Sequence, residues 1–136
     1  MSNNFLDKSI IFYDGHCPLC HYWVRYAIKK DYENKLYFSP IQGEFGQKFI
    51  LDNNLSSYDS VIFHQPTHKP FLHSNAVYEL LKYLKLNNLL FYLLKFTPPI
   101  VSDFFYKLVA KIRYLVFGKY DECEIPDKEI RSRIIL

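Results

Sequence analysis

Two cysteines three positions apart, Cys17 and Cys20, are the residues whose type and spacing point to chemistry. Three apart on a helix's first turn, they lie on one side, where their sulfurs can close a small ring. Pro18 between them suits the first helical position, where its missing N–H costs nothing and its φ is already near the helical value. Cys17 is then expected at or just before the helix start, facing orphan N–H donors and the positive end of the helix dipole. That setting lowers a thiol's pKa, and the thiolate is the attacking form. Cys20, one turn inside, is better placed to resolve a mixed disulfide than to attack first.

The same pair is open to two other readings, half of a zinc site or two packed thiols without chemistry. A structural zinc site takes four ligands. The remaining thiol is Cys123, no second Cys-x-x-Cys exists, and His64-x-x-x-His68 lies much further from Cys20 than finger spacing allows. His16, His21 and His73 complete the histidines. Those around positions 64 to 73 are expected at turn or edge positions with one face in water. The favoured reading is redox, because of what flanks the pair.

An apolar run from Ile10 to Tyr13 reads as a short buried strand, broken by Asp14-Gly15. A helix from Pro18 to about Lys30 follows, with Leu19, Trp23, Tyr26 and Ala27 at helical intervals. Leu36-Tyr37-Phe38 is a second strand, ended by Ser39-Pro40, and the intervening helix suggests a parallel crossover. Glu44 to about Leu51 is a weaker helix interrupted by Gly46, followed by a loop. Ser60 to His64 and Pro70 to His73 read as strands of a hairpin. Ser74 is the expected cap of a helix carrying Ala76, Val77, Leu80, Leu81 and Leu84 on one face.

The order β-α-β-α-β-β-α is that of a thioredoxin-like α/β core, spanning about residues 9–86 of a single domain, 1–136. A helical extension over about 87–136 follows. It comprises a short apolar helix from Asn88 to Phe96, a break at Thr97-Pro98-Pro99, and a helix from about Ile100 to Phe117 stopped by Gly118. Phe104, Phe105, Leu108, Ile112, Leu115 and Val116 are expected as a core face packed on the sheet. Interfacial membrane contact is the alternative. Neither helix reaches the ~20 uninterrupted apolar residues of a membrane span.

The bulk numbers agree with one well-filled domain. The chain has 136 residues, 49% of them hydrophobic, with 12 Tyr and 12 Phe, so core material is ample and disorder is not expected. A formal charge of +3 is too weak and scattered to argue for nucleic acid. Three cysteines do not make a disulfide framework. The N-terminus lacks the basic start and long apolar region of a signal peptide, so a reducing cytoplasm is the expected compartment.

Tyr-Asp-Gly-x-Cys-Pro-x-Cys at Tyr13 to Cys20 resembles the defining motif of the DCC-type thiol-disulfide oxidoreductase-like family, named for its Asp, Cys and Cys. The resemblance continues through Phe38-Ser39-Pro40-Ile41-Gln42, the strand at Asp59 to Phe63, and Ser74-Asn75-Ala76-Val77. It then takes in Pro98-Pro99, Tyr106 to Tyr114, Phe117-Gly118, Cys123 and Pro126, and so covers nearly the whole chain. It implies a thioredoxin-like fold and dithiol–disulfide exchange, with Asp14, Cys17 and Cys20 as the site. Such exchange needs no bound cofactor. Its partners would be a disulfide-bearing protein or small thiol and a separate reductant or oxidant. The alternative function is a zinc-binding or non-catalytic interaction module using the same cysteines.

Two roles are open for Asp14. Its carboxylate either orients the turn and accepts a proton when the buried thiol reacts, or only caps the turn through its side chain. Arg113 and Tyr114 are expected to serve packing or a salt bridge, with substrate binding as the alternative. Thioredoxins place a cis-proline before the third strand, beside the dithiol. Ser57-Tyr58-Asp59-Ser60-Val61 has none, so substrate docking along that edge is expected to differ. Cys123 is expected to stand outside the exchange.

Overall fold

The computed structural model describes residues 6–33, 35–55, 61–86, 88–118 and 131–135. Its core is four strands: β1 (Ser9–Tyr13), β2 (Leu36–Pro40), β3 (Ile62–His64) and β4 (Phe71–Leu72), in the order β2-β1-β3-β4. β1 runs parallel to β2, with Ile11 opposite Phe38, and antiparallel to β3, with Ile11 opposite Phe63. β3 and β4 form the expected antiparallel hairpin. Helices α1 (Pro18–Lys30), α2 (Glu44–Asp52) and α3 (His73–Tyr83) complete a thioredoxin-like α/β fold.

Both faces of the sheet are covered, which is why β1 reads as a continuous apolar run rather than an alternating one. Ile11, Tyr13, Leu36, Phe38 and Phe63 pack with Val24 and Ala27 of α1 and Ala76 of α3. Ile10, Phe12 and Ile62 pack on the other side with Phe49 and Ile50 of α2. The glycine that interrupts the helical pattern of α2 has a packing reason. A Cβ at Gly46 would lie 2.4 Å from the Pro40 carbonyl oxygen, so only glycine lets α2 approach the end of β2.

Two local expectations are corrected, and one contact is added. The buried stripe of α1 is His21, Val24 and Ala27, rotated from the expected one, and Trp23 is on the surface. Helix α3 starts at His73 rather than after Ser74, because the Ser74 hydroxyl donates to Asp103 Oδ1 at 2.5 Å instead of capping. The apolar end of the chain joins the fold: Phe38 N donates to Arg133 O and Ile135 N to Phe38 O, each at 2.8 Å. Residues 133–135 thereby cover the outer edge of β2, a row of backbone groups otherwise open to pairing with another chain.

The largest correction concerns α4 (Leu89–Phe96) and α5 (Pro99–Phe117). Phe104, Phe105, Leu108, Ile112, Leu115 and Val116 do not form a core face; all six are exposed. The stripe of α5 that faces the protein is Ser102, Asp103, Tyr106, Ala110, Arg113 and Tyr114. Apart from Ala110 it is polar, and its partners explain the inversion. Asp103 accepts from Ser74, Tyr106 Oη accepts from Val61 N at 2.7 Å, and Arg113 and Tyr114 reach Asp14.

Candidate active site

The site begins where β1 ends. Cys17 is the N-cap of α1, with φ −99° and ψ 114°, and Pro18 occupies the first turn. Cys17 Sγ takes the place of a capping oxygen, accepting from Cys20 N at 3.3 Å. Both thiols are free. Cys17 is 0% exposed, whereas Cys20 is half-buried, so the thiol expected to attack lies beneath the surface.

Asp14 is a hub. Its Oδ1 accepts from His16 N at 2.9 Å, closing the turn through its own side chain, and from Gln42 Nε2 at 2.7 Å. Its Oδ2 accepts from Arg113 Nη2 at 3.0 Å and from the Tyr114 hydroxyl. Gln42 also accepts from Gly15 N at 2.8 Å, so one amide side chain from the β2–α2 connection grips both turn residues. From the other side His21 Nε2 meets Gly15 O at 2.8 Å, and Tyr13 lies edge-on to the His21 ring. Three elements, α1, α5 and the β2–α2 connection, thus fix the turn that presents Cys17.

Electrostatics follow this geometry. Hydrogen bonding from the Cys20 thiol lowers the Cys17 pKa most. Burial opposes it, while the Cys20 backbone N–H and the Arg113 charge act with it and Asp14 against it, leaving Cys17 lowered to about 7. The same sulfur–sulfur interaction and burial push Cys20 strongly upward. Burial pushes Asp14 up, but the donors Tyr114, His16 N–H, Gln42 and Arg113 outweigh it and hold the carboxyl below its ordinary value. Burial and donation to Asp14 push Tyr114 up to about 12.

Arg113 therefore does form the expected salt bridge, on the motif aspartate, and Tyr114 donates a hydrogen bond to the same carboxylate. Gln42 and His21 were missed as site residues. The sequence signals were present: Gln42 follows the strand adjacent to β1, and His21 sits one turn beyond Cys17 on the same helix. His64, His68 and His73 find partners away from the cysteines. His64 Nε2 meets Leu6 O, His68 Nδ1 meets Pro66 O, and His73 stacks edge-on with Tyr106. Among the described residues no three His, Cys, Asp or Glu side chains gather around a common point. Cys123 and residues 57–60 lie outside the described residues.

Comparison with known proteins fits this geometry. The profile of the DCC1-like thiol-disulfide oxidoreductase family matches residues 11–119. The chain is 30% identical to the uncharacterized protein YuxK of Bacillus subtilis, over 99% of each chain. It is 32% identical to a chloroplastic DCC family protein of Arabidopsis thaliana, over 87% of this chain and 70% of that one. No solved structure gives a significant match. The chain belongs to the DCC1-like thiol-disulfide oxidoreductase family.

Proposed function

We propose that the chain exchanges a Cys17–Cys20 dithiol with the disulfide of a protein or small-thiol partner. The observation that carries this is the placement of Cys17 at the N-cap of α1, its thiol lowered to about 7. Near neutral pH a large share of such a thiol is thiolate, without the loss of nucleophilicity that a much lower pKa would bring.

In the reducing direction the Cys17 thiolate attacks one sulfur of the partner's disulfide. A Cys17–partner disulfide forms, and the other partner sulfur leaves as a thiolate. Cys20 then loses its proton to solvent or to that thiolate and attacks Cys17 Sγ. The Cys17–Cys20 disulfide closes, the second partner thiolate leaves, and two electrons have passed to the partner. A separate reductant returns the dithiol. A reducing compartment, the cytoplasm by default, is the proposed setting.

Asp14 is assigned the role of anchor rather than proton acceptor. A carboxylate with four donors and a lowered pKa is a poor base, whereas it is well placed to hold Arg113 near Cys17. Arg113 is a positioning residue whose charge favours the thiolate. Because Cys17 is fully covered, attack also requires displacement of that cover, so opening is part of the reaction.

The test is disulfide-reductase activity with Cys17→Ser and Cys20→Ser, together with the pH dependence of Cys17 alkylation. Cys17→Ser is expected to abolish activity and Cys20→Ser to accumulate the mixed disulfide. An alkylation midpoint near 7 is expected. Activity surviving in Cys17→Ser, or a midpoint at or above about 8.5, the value of a free thiol, would overturn the assignment.

A further inference from the structure

We infer that the outward face of α4 and α5 is a docking surface for an anionic phospholipid bilayer, on which the protein lies without crossing it. The inference is independent of the thiol chemistry. Helix α5 is inside-out: its polar stripe is spent on Ser74, Val61 and Asp14, and its apolar side is turned outward. Ile100 is 85% exposed, Phe104 63% and Leu115 87%. In α4, Leu89, Tyr92, Leu93 and Phe96 share one helix face and are all exposed. Exposed apolar surface of this extent marks a site of association.

Charge decides which partner. Residues 88–118 carry Lys95, Lys107, Lys111 and Arg113 against a single acid, Asp103. Arg113 is paired with Asp14, and Asp103 accepts from Ser74. The charges left on the outward side are three exposed lysines, two of them, Lys107 and Lys111, one turn apart beside Phe104 and Leu108. A second copy of the same helices would bring lysines against lysines with no unpaired acid of residues 88–118 between them, a costly arrangement where water is excluded. An anionic headgroup layer accepts the lysines while the rings and branched chains enter the acyl boundary, as interfacial amphipathic helices do. No described helix is long and apolar enough to cross a membrane, which agrees with lying on the surface.

The experiment is flotation of the full chain with vesicles of phosphatidylcholine alone, or of equal parts phosphatidylcholine and phosphatidylglycerol. The wild type is expected to float with the phosphatidylglycerol vesicles and to be released as salt rises. Lys107→Gln/Lys111→Gln should reduce that partitioning about 30-fold, from the usual contribution of two lysines at an anionic surface. Phe104→Ser/Leu115→Ser, altering exposed residues alone, should abolish it with an unchanged circular dichroism spectrum. Three results would each overturn the inference: no preference for phosphatidylglycerol at low salt, binding undiminished in Phe104→Ser/Leu115→Ser, or absence of vesicle binding with a solution dimer that this variant dissociates.

Discussion

Arg113 Nη2 lies 3.0 Å from Asp14 Oδ2, across 99 positions of sequence, and the two side chains are only 6% and 5% exposed. The pair ties α5 to the turn that carries the dithiol. Breaking a buried pair by removing one partner leaves the other charge without compensation, at a cost of about 3–5 kcal/mol. Arg113→Gln and Asp14→Asn are each expected to lose an amount of that order in urea unfolding. The double variant should lose less than the sum, with a coupling of roughly 0.5–3 kcal/mol, since it leaves no orphan charge. Strict additivity would mean that the pair is not an energetic unit.

The lowered Asp14 carboxyl also fixes a pH dependence. Its folded pKa lies below its unfolded one, so the unfolded chain binds more protons as acid is added. The stabilisation is fully present above about pH 4, the unfolded range of an aspartate, and is lost as pH falls through the folded value. The difference in unfolding free energy between wild type and Asp14→Asn should therefore shrink on acidification. A difference that stays constant down to about pH 2 would remove Asp14 as its source.

Cys17 gives a second dependence, in another window. In the reduced protein its folded pKa of about 7 lies below that of an unfolded thiol, about 8.5. Cys17 should therefore add stability as pH rises from 7 toward 8.5, lost again as pH falls through 7. Cys20→Ala deletes the thiol that contributes most to the shift, and the Cys17 alkylation midpoint should rise by on the order of one unit, toward that of a free thiol. Comparing alkylation profiles of wild type and variant tests this directly. A midpoint unchanged by the substitution would assign the shift to the helix terminus and Arg113 instead.

The readable part of the site was local. An apolar run, Asp14-Gly15, and Cys-Pro-x-Cys carry their geometry in neighbouring residues, so β1, the turn, and the N-cap place of Cys17 were all legible. Periodicity also found α5 to within a residue at its start. What periodicity cannot say is which side of a helix turns inward. In α5 periodicity marks the apolar face for burial, yet the inward stripe is polar because Asp14, Ser74 and the Val61 N–H are waiting for it. Those partners lie 29 to 99 positions away, and no window of sequence contains both sides of the bargain. Gly46 shows the same limit: propensity reads it as a weak point in α2, and only the approach of the Pro40 carbonyl reveals it as a requirement. Gly46→Ala is accordingly expected to lower stability by about 1–3 kcal/mol by overpacking, despite alanine's better helix propensity. A higher melting temperature would show that α2 can shift to make room.

The last prediction concerns the third thiol. We expect the Cys17–Cys20 disulfide to form without Cys123. Cys17 is the N-cap of α1 and Cys20 lies in the following turn, where its backbone N–H already reaches Cys17 Sγ at 3.3 Å. Closing that ring needs little more than rotation of two side chains. Cys123 is 103 positions beyond Cys20, so no single helical turn holds it beside the pair. Its presence in the family resemblance makes it the natural rival as resolving thiol, so the two mechanisms must be separated chemically. Mild oxidation followed by digestion and disulfide mapping should recover a Cys17–Cys20 peptide in the wild type and in Cys123→Ser alike, with disulfide-reductase activity of the variant within about twofold of wild type, as expected for a group outside the reacting atoms. A dominant bond from Cys123 to either motif cysteine, or loss of activity in Cys123→Ser with the fold intact, would replace the two-cysteine mechanism with a three-cysteine relay.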